Sequence, residues 1–260
     1  MNLALRGVKF TYPSVPVLNN VSFELNEREM LAVVGKNGSG KSTLIKCINK
    51  IVKYQGGNIF VHRKEVKNMR RRDIARKMAY HPQKTFYNFP VTVFEAVFMG
   101  RYPHSGWNSD KDGEKHVWEV LKVLGLEALA LRDYNEISGG QQQKVIIARA
   151  LAQEADILLL DEPTSDLDIR YQLEVMEIMR RLVKEKNISA IVAIHDLNLA
   201  SRYCDRIVML HEGVIFSAGA PNEVLTSANI AKVYGVAASV CEHEGTLHVI
   251  PDRPIQETLL

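Results

Sequence analysis

Residues Gly35 to Thr43, GKNGSGKST, follow directly on the apolar run Met30 to Val34. An apolar strand, a glycine-rich turn and a Lys-Ser-Thr helix opening together bring backbone N–H groups and a helix N-terminus around one polyphosphate. Gly35, Gly38 and Gly40 permit positive φ and close approach of backbone to an anion. Lys41 offers an ammonium to the β- and γ-phosphates, and Ser42 offers a hydroxyl to Mg²⁺. The stretch predicts a nucleotide-phosphate cradle at the end of a buried strand.

The chain on either side fits such a core. Leu3 to Phe10 alternates apolar and polar residues, Tyr12-Pro13 closes that strand, and Val21, Phe23 and Leu25 alternate again. Two antiparallel strands are therefore expected before the parallel core, with Tyr12 a platform for a flat ligand. Lys41 to Lys50 reads as a helix, Asn58 to His62 as a strand, Lys67 to Lys77 as helical by composition and Met78 to Gln83 as extended. From Lys84 to Asn135 helices joined by loops are expected. The clear ones are Val93 to Met99 and Lys115 to Leu124, where Val117, Val120, Leu121 and Leu124 form one apolar stripe of a self-packing lobe. Ser138 caps a helix running to about Ala152, whose N-terminus is a second potential anion site. Ile157 to Leu160 is a buried strand ending in Asp161-Glu162. Leu173, Met176, Met179 and Leu182 fall at helical spacing, and Ser189 to Ile194 is a further strand ending at His195-Asp196. Strand, helix, strand predicts a doubly wound parallel sheet with ligands at the carboxyl ends of the strands, where Gly35, Asp161 and His195 lie. Short alternating strands are expected from Ile207 onward, and a small helix over Asn222 to Tyr234.

Composition narrows the class. At 260 residues and 46 % hydrophobic content the chain can bury a core of its own. Its longest apolar runs are far short of the ~20 residues a membrane helix needs. The N-terminus breaks its apolar character at Arg6 and Lys9, unlike a secretory signal. Cys47, Cys204 and Cys241 show no paired spacing, so no disulfide framework is expected and the cytosol is the natural home. The net charge of +3 is too small and dispersed to imply nucleic acid. Between His62 and Lys77, however, eight Lys/Arg stand against two acids. That run reads either as a solvated helix face or as a patch for anionic headgroups or a phosphate-rich partner.

Ile137-Ser138-Gly139-Gly140-Gln141 resembles the signature that nucleotide-binding subunits of ATP-binding-cassette (ABC) transporters place upstream of their second carboxylate motif. With the phosphate loop before it and Asp161-Glu162 after it, the resemblance spans Tyr12 to about Leu225. It implies an α/β P-loop NTPase of ABC type, with a mainly parallel sheet core, an N-terminal antiparallel β subdomain and a helical subdomain. The whole of 1–260 is then one nucleotide-binding domain, with the helical subdomain at about 84–152 and a C-terminal β extension at about 207–260. Residue by residue, Tyr12 is similar to the aromatic that stacks on adenine. Gly35, Lys36, Asn37, Gly38, Ser39, Gly40, Lys41, Ser42 and Thr43 match the Walker A loop. Gln83 is similar to the glutamine that contacts Mg²⁺ and the attacking water. Asp161 and Glu162 match the Walker B aspartate and the catalytic glutamate, Ser165 to Asp168 the D-loop, and His195 the switch histidine. Mg²⁺ would thus be held by Ser42, Asp161 and Gln83. The departures are Ile137 for the usual Leu, Gln142 and Lys144 for common arginines, and Asp166 for an alanine in the D-loop.

The resemblance also implies partners. Ser138, Gly139, Gly140 and Gln141 would cover ATP bound by a second copy, in a head-to-tail homodimer with two composite sites. Phe89 to Val93, Met99 to His104 and His195-Asp196-Leu197-Asn198 look like the importer branch that handles iron–siderophore complexes, haem and cobalamin. The partners are then integral membrane permease subunits and, indirectly, an external binding protein, with no nucleic acid. The chain would lie at the cytoplasmic face of the membrane as a peripheral ATPase. Other readings keep the ATPase but make it an exporter subunit, an importer for another metal or oxyanion, or a soluble mechanical ATPase acting on nucleic acid or the ribosome. Cys241, Glu242, His243, Glu244 and His248 admit a metal reading, though Glu244-Gly245-Thr246 more simply makes a hairpin turn.

Overall fold

A strand that reads apolar without interruption must be covered on both faces, and four such strands build the centre of this molecule. The computed structural model describes residues 1–83, 89–105, 111–165 and 167–255. In chain order, a hairpin of β1 (Leu3–Tyr12) and β2 (Val15–Leu25) precedes β3 (Met30–Val34), which feeds α1 (Lys41–Ile48). There follow β4 (Gly56–Val61), β5 (Lys64–Glu65), α2 (Arg71–Ala75) and β6 (Met78–His81). The helices α3 (Val93–Phe98), α4 (Tyr102–Ser105), α5 (Lys111–Val123) and α6 (Gly139–Ala152) come next. Strands and helices then alternate through β7 (Ile157–Asp161), α7 (Ile169–Glu185), β8 (Ser189–Ala193), α8 (Leu197–Tyr203) and β9 (Arg206–His211). The chain continues through β10 (Val214–Gly219), α9 (Pro221–Val224), α10 (Ser227–Tyr234), β11 (Val236–His243) and β12 (Thr246–Pro254).

The main sheet has six strands in the order β10-β9-β3-β8-β7-β6. All neighbours are parallel except β10, which returns antiparallel beside β9. Its two faces belong to different cores. Leu31, Val33, Leu159 and Ile191 point toward α1 and the antiparallel sheet β2-β1-β4-β5, whereas Met30, Ala32, Leu158, Leu160 and Val192 face the other helices. The period-two alternation of a strand thus divides each run between two buried layers. The predicted stripe of Val117, Val120, Leu121 and Leu124 is buried against α3 and α6.

Three expectations are corrected. Lys67 to Lys77 is not one helix: a single turn of 3₁₀ helix at Val66–Asn68 is followed by extended Met69 and Arg70, and α2 spans only Arg71–Ala75. Among these residues only Val66 and Ile74 are buried, so the charge run has no apolar stripe to hold a longer helix. Asn222 to Tyr234 is two helices, because Leu225 leaves the helical region at φ −87° and ψ 65° and Thr226 caps a new start. The strand near Ile207 does not alternate: β9 is buried and parallel to β3 inside the main sheet. The hairpin turn at Glu244-Gly245 is as expected, joining β11 and β12 in register His243 opposite Thr246. Asp166 lies outside the described residues.

Candidate functional site

The phosphate loop leaves β3 with the glycine geometry its sequence requires. Gly35 has φ +147°, and a Cβ there would sit 2.3 Å from the carbonyl oxygen of Leu210 on neighbouring β9. The loop then wraps Lys41, which is 5 % exposed. Its Nζ donates to the carbonyls of Gly35 at 2.9 Å and Lys36 at 3.2 Å, and among the described residues no carboxylate pairs with it directly. Burial lowers the Lys41 pKa, while the nearby charges of Glu162 and Asp161 pull it back up. The Ser39 hydroxyl is likewise buried without a partner among the described residues. A buried cation held only by neutral oxygens beside an unsatisfied hydroxyl is suited to an anion, and a polyphosphate fits this cradle. Val17 and Leu18 of β2 pack against Gly40, and the hairpin they belong to carries Tyr12, 41 % exposed and edge-on to Phe10 at 4.8 Å.

The carboxylates come from the end of β7. Ser42 Oγ donates to Asp161 Oδ1 at 2.7 Å, and the Tyr80 hydroxyl stands 3.5 Å from Oδ2. Burial raises the Asp161 pKa; the Ser42 hydrogen bond opposes this and the Glu162 charge adds to it. A hydroxyl and a buried carboxylate in contact are a hard oxygen pair of the kind Mg²⁺ takes, so the residues fit that ion as well. Glu162 turns out of the strand at φ +53°, its N–H donating to the Ala193 carbonyl at 3.0 Å. His195 Nε2 lies 2.5 Å from Glu162 Oε1, and Gln83 Nε2 donates to Oε2 at 2.5 Å. Three strand ends, after β6, β7 and β8, thus bring Gln83, Glu162 and His195 together. Asp196 fixes the next turn by capping α8, accepting from the N–H groups of Asn198 and Leu199.

The Ser138 segment is built separately. Ser138 and Gln141 form a reciprocal capping box at the start of α6. A Cβ on Gly140 would lie 2.6 Å from the Tyr171 ring of α7, whereas one on Gly139 would meet nothing within 4 Å. The segment is therefore packed on one side and open on the other. Its side-chain hydrogen bonds among the described residues are internal, with none to the phosphate loop. Ile137 is buried as an apolar anchor, Gln142 donates to the Tyr134 carbonyl at 3.0 Å, and Lys144 pairs with Glu174 at 2.6 Å. In the D-loop, Ser165 Oγ donates to the Glu162 carbonyl at 2.9 Å and Asp168 caps α7. One contributor escaped the sequence reading: Tyr80 carried only the signal of an aromatic in a short strand before Pro82.

Comparison with known proteins gives the family. Residues 18–165 match the family model described as ABC transporter. A relative from Methanocaldococcus jannaschii, named an uncharacterized ABC transporter ATP-binding protein, is 50 % identical over 252 residues, covering 96 % of this chain and 98 % of its own. The hemin import ATP-binding protein of Bordetella avium is 39 % identical over 244 residues, covering 90 % and 93 %. Others are named for cobalamin, petrobactin and ferric enterobactin. Among solved structures, one of an inward-facing ABC transporter assigned provisionally to the metal-chelate type superposes with a TM-score of 0.85 at 28 % identity, covering 100 % of this chain and 99 % of that one. A dimeric bacterial ABC transporter cassette superposes at 0.76 with 29 % identity, covering 84 % and 98 %. The fold, the strand-end cluster and these matches together make the chain a member of the ABC transporter family, an ATP-binding subunit whose ATPase activity is coupled to transport.

Proposed function

We propose that the chain energises an importer for a metal chelate of the iron–siderophore, haem or cobalamin kind, bound as a dimer to permease subunits on the cytoplasmic face of the membrane. The chain forms one nucleotide-binding domain over 1–260, with its helical subdomain at about 84–152. Lys41 and the N–H groups of Gly35 to Thr43 bind the β- and γ-phosphates, and Tyr12 stacks on the base. Ser42, Asp161 and Gln83 hold Mg²⁺, which supplies positive charge against the phosphate oxygens. Phosphoryl transfer needs little covalent help from a protein, so rate comes from position and charge. Glu162 orients the attacking water and accepts its proton, and His195 contacts the γ-phosphate. The open face of Ser138 and Gly139 closes over ATP held by the second copy, so the bound nucleotide belongs to both chains.

One observation carries the catalytic part: Glu162 is held between Gln83 and His195 next to the Ser42–Asp161 pair. Support for the cargo comes from relatives named for hemin and other metal-chelate import. For the permease, Phe89, Phe94, Phe98, Met99 and Tyr102 line a shallow apolar groove of about 290 Å³ on the helical lobe. Glu162→Gln is expected to bind ATP with parental affinity while its turnover falls at least ~100-fold. Hydrolysis at the parental rate would contradict the assignment. Co-purification with a polytopic membrane protein is the check on the permease, and a chain recovered from membranes without one would count against it.

A further inference from the structure

The C-terminal segment reaches the site at two points. Tyr234 ends α10 with its hydroxyl buried beside the backbone of Gly35, and a Cβ on the next residue, Gly235, would lie 3.5 Å from Lys36 Nζ. The hairpin that follows then folds onto α8, the helix opening immediately after His195-Asp196. There the contact is specific. Asn198 Nδ2 donates to the Val249 carbonyl at 3.2 Å, and the Val249 N–H donates to Asn198 Oδ1 at 2.7 Å.

Along an antiparallel hairpin, residues alternate between pairs that bond across the ladder and pairs whose N–H and C=O face outward. Val249, opposite Val240, turns both groups outward to Asn198. A carboxamide offers an acceptor oxygen beside an N–H donor, as a peptide group does, so Asn198 occupies the place a further strand would take. Two bonds to one backbone residue fix both the distance and the rotation of the first turn of α8, where one bond would leave a hinge. The Val249 side chain is 5 % exposed within the core, so the hairpin end of the bridge is anchored.

We infer that the β11–β12 hairpin positions His195 through the Asn198–Val249 bridge, and so governs the rate of hydrolysis more than the affinity for ATP. Asn198 is a positioning residue here, and the inference rests on the reading of His195 as a γ-phosphate contact. A group that must meet a reacting phosphoryl loses rate steeply with ångström displacements, whereas nucleotide held by the phosphate loop does not depend on the switch helix.

The test is steady-state ATP hydrolysis by the full chain, with kcat expressed per titrated nucleotide site. Asn198→Ala is expected to lower kcat about tenfold with KM for ATP within about twofold of parental. Asn198→Asp, which keeps the acceptor for the Val249 N–H, should fall between the two. Val249→Pro removes that N–H, and combining it with Asn198→Ala should cost no more than the worse single change, because both break one bridge. Parental kcat in Asn198→Ala would overturn the inference. So would a loss fully accounted for by fewer nucleotide sites, or losses that multiply in the pair. His195→Ala separates the two levels: if it loses turnover while Asn198→Ala runs normally, only the bridge is wrong.

Discussion

Lys41 shows most directly how one side chain carries chemistry here. Lys41 is 5 % exposed, and its ammonium has carbonyl oxygens as its only direct partners among the described residues, with the Asp161 and Glu162 charges near but not paired to it. Phosphate would supply a direct counter-charge. Lys41→Ala should weaken Mg·ATP binding by about 1.5–3 kcal/mol, roughly 10- to 100-fold in Kd, in a nucleotide titration. Unchanged affinity would remove Lys41 from the binding site. Tyr12 makes a gentler claim: Tyr12→Ala should weaken binding about tenfold and Tyr12→Phe should not, since stacking uses the ring face and not the hydroxyl. Lys41, Asp161 and Glu162 were readable in the sequence because type, spacing and the preceding apolar strand all agree. The meeting of Gln83, Glu162 and His195 was legible only through the family resemblance. It depends on the parallel register that aligns the ends of β6, β7 and β8, which no local window contains.

At the scale of elements, the sequence spoke clearly where pattern and capping coincide and poorly where charge replaced pattern. Ser138 and Gln141 announced α6, and the structure gives that helix a full capping box. Lys67 to Lys77 looked helical by composition, yet with only Ile74 of α2 buried the helix keeps barely a turn. The break at Leu225 was hidden because neither Gly nor Pro marks it. Tertiary ties hold other junctions. Asp205 at the head of β9 accepts from the Met30 N–H at 2.9 Å, Arg180 at 2.7 Å and Lys184 at 3.0 Å. Burial pushes its carboxyl upward, but the Met30, Arg180 and Lys184 donors outweigh that and hold it below the ordinary range. A carboxyl depressed in the folded chain adds stability that is present above its unfolded pKa of about 3.9 and is lost as pH falls through the lower folded value. Asp205→Asn is therefore expected to cost about 2 kcal/mol at neutral pH and to flatten the loss of Tm below about pH 4. An unchanged Tm at neutral pH would show that the tie is not stabilising.

At the scale of the whole molecule, the composite site proposed above needs two copies of the chain. The phosphate loop, Asp161, Glu162 and His195 share one cluster, while the Ser138-Gly139 face opens outward and bonds only within its own segment. The structural neighbour solved as a dimeric cassette shows that ABC cassettes pair. If ATP joins two copies, a chain that binds but does not hydrolyse it should accumulate as the closed pair. The most direct measurement is the solution mass of Glu162→Gln by sedimentation equilibrium, with and without saturating Mg·ATP. The account predicts the 29.3 kDa chain alone and twice that mass with nucleotide. A variant that binds Mg·ATP and stays at the mass of one chain would contradict it.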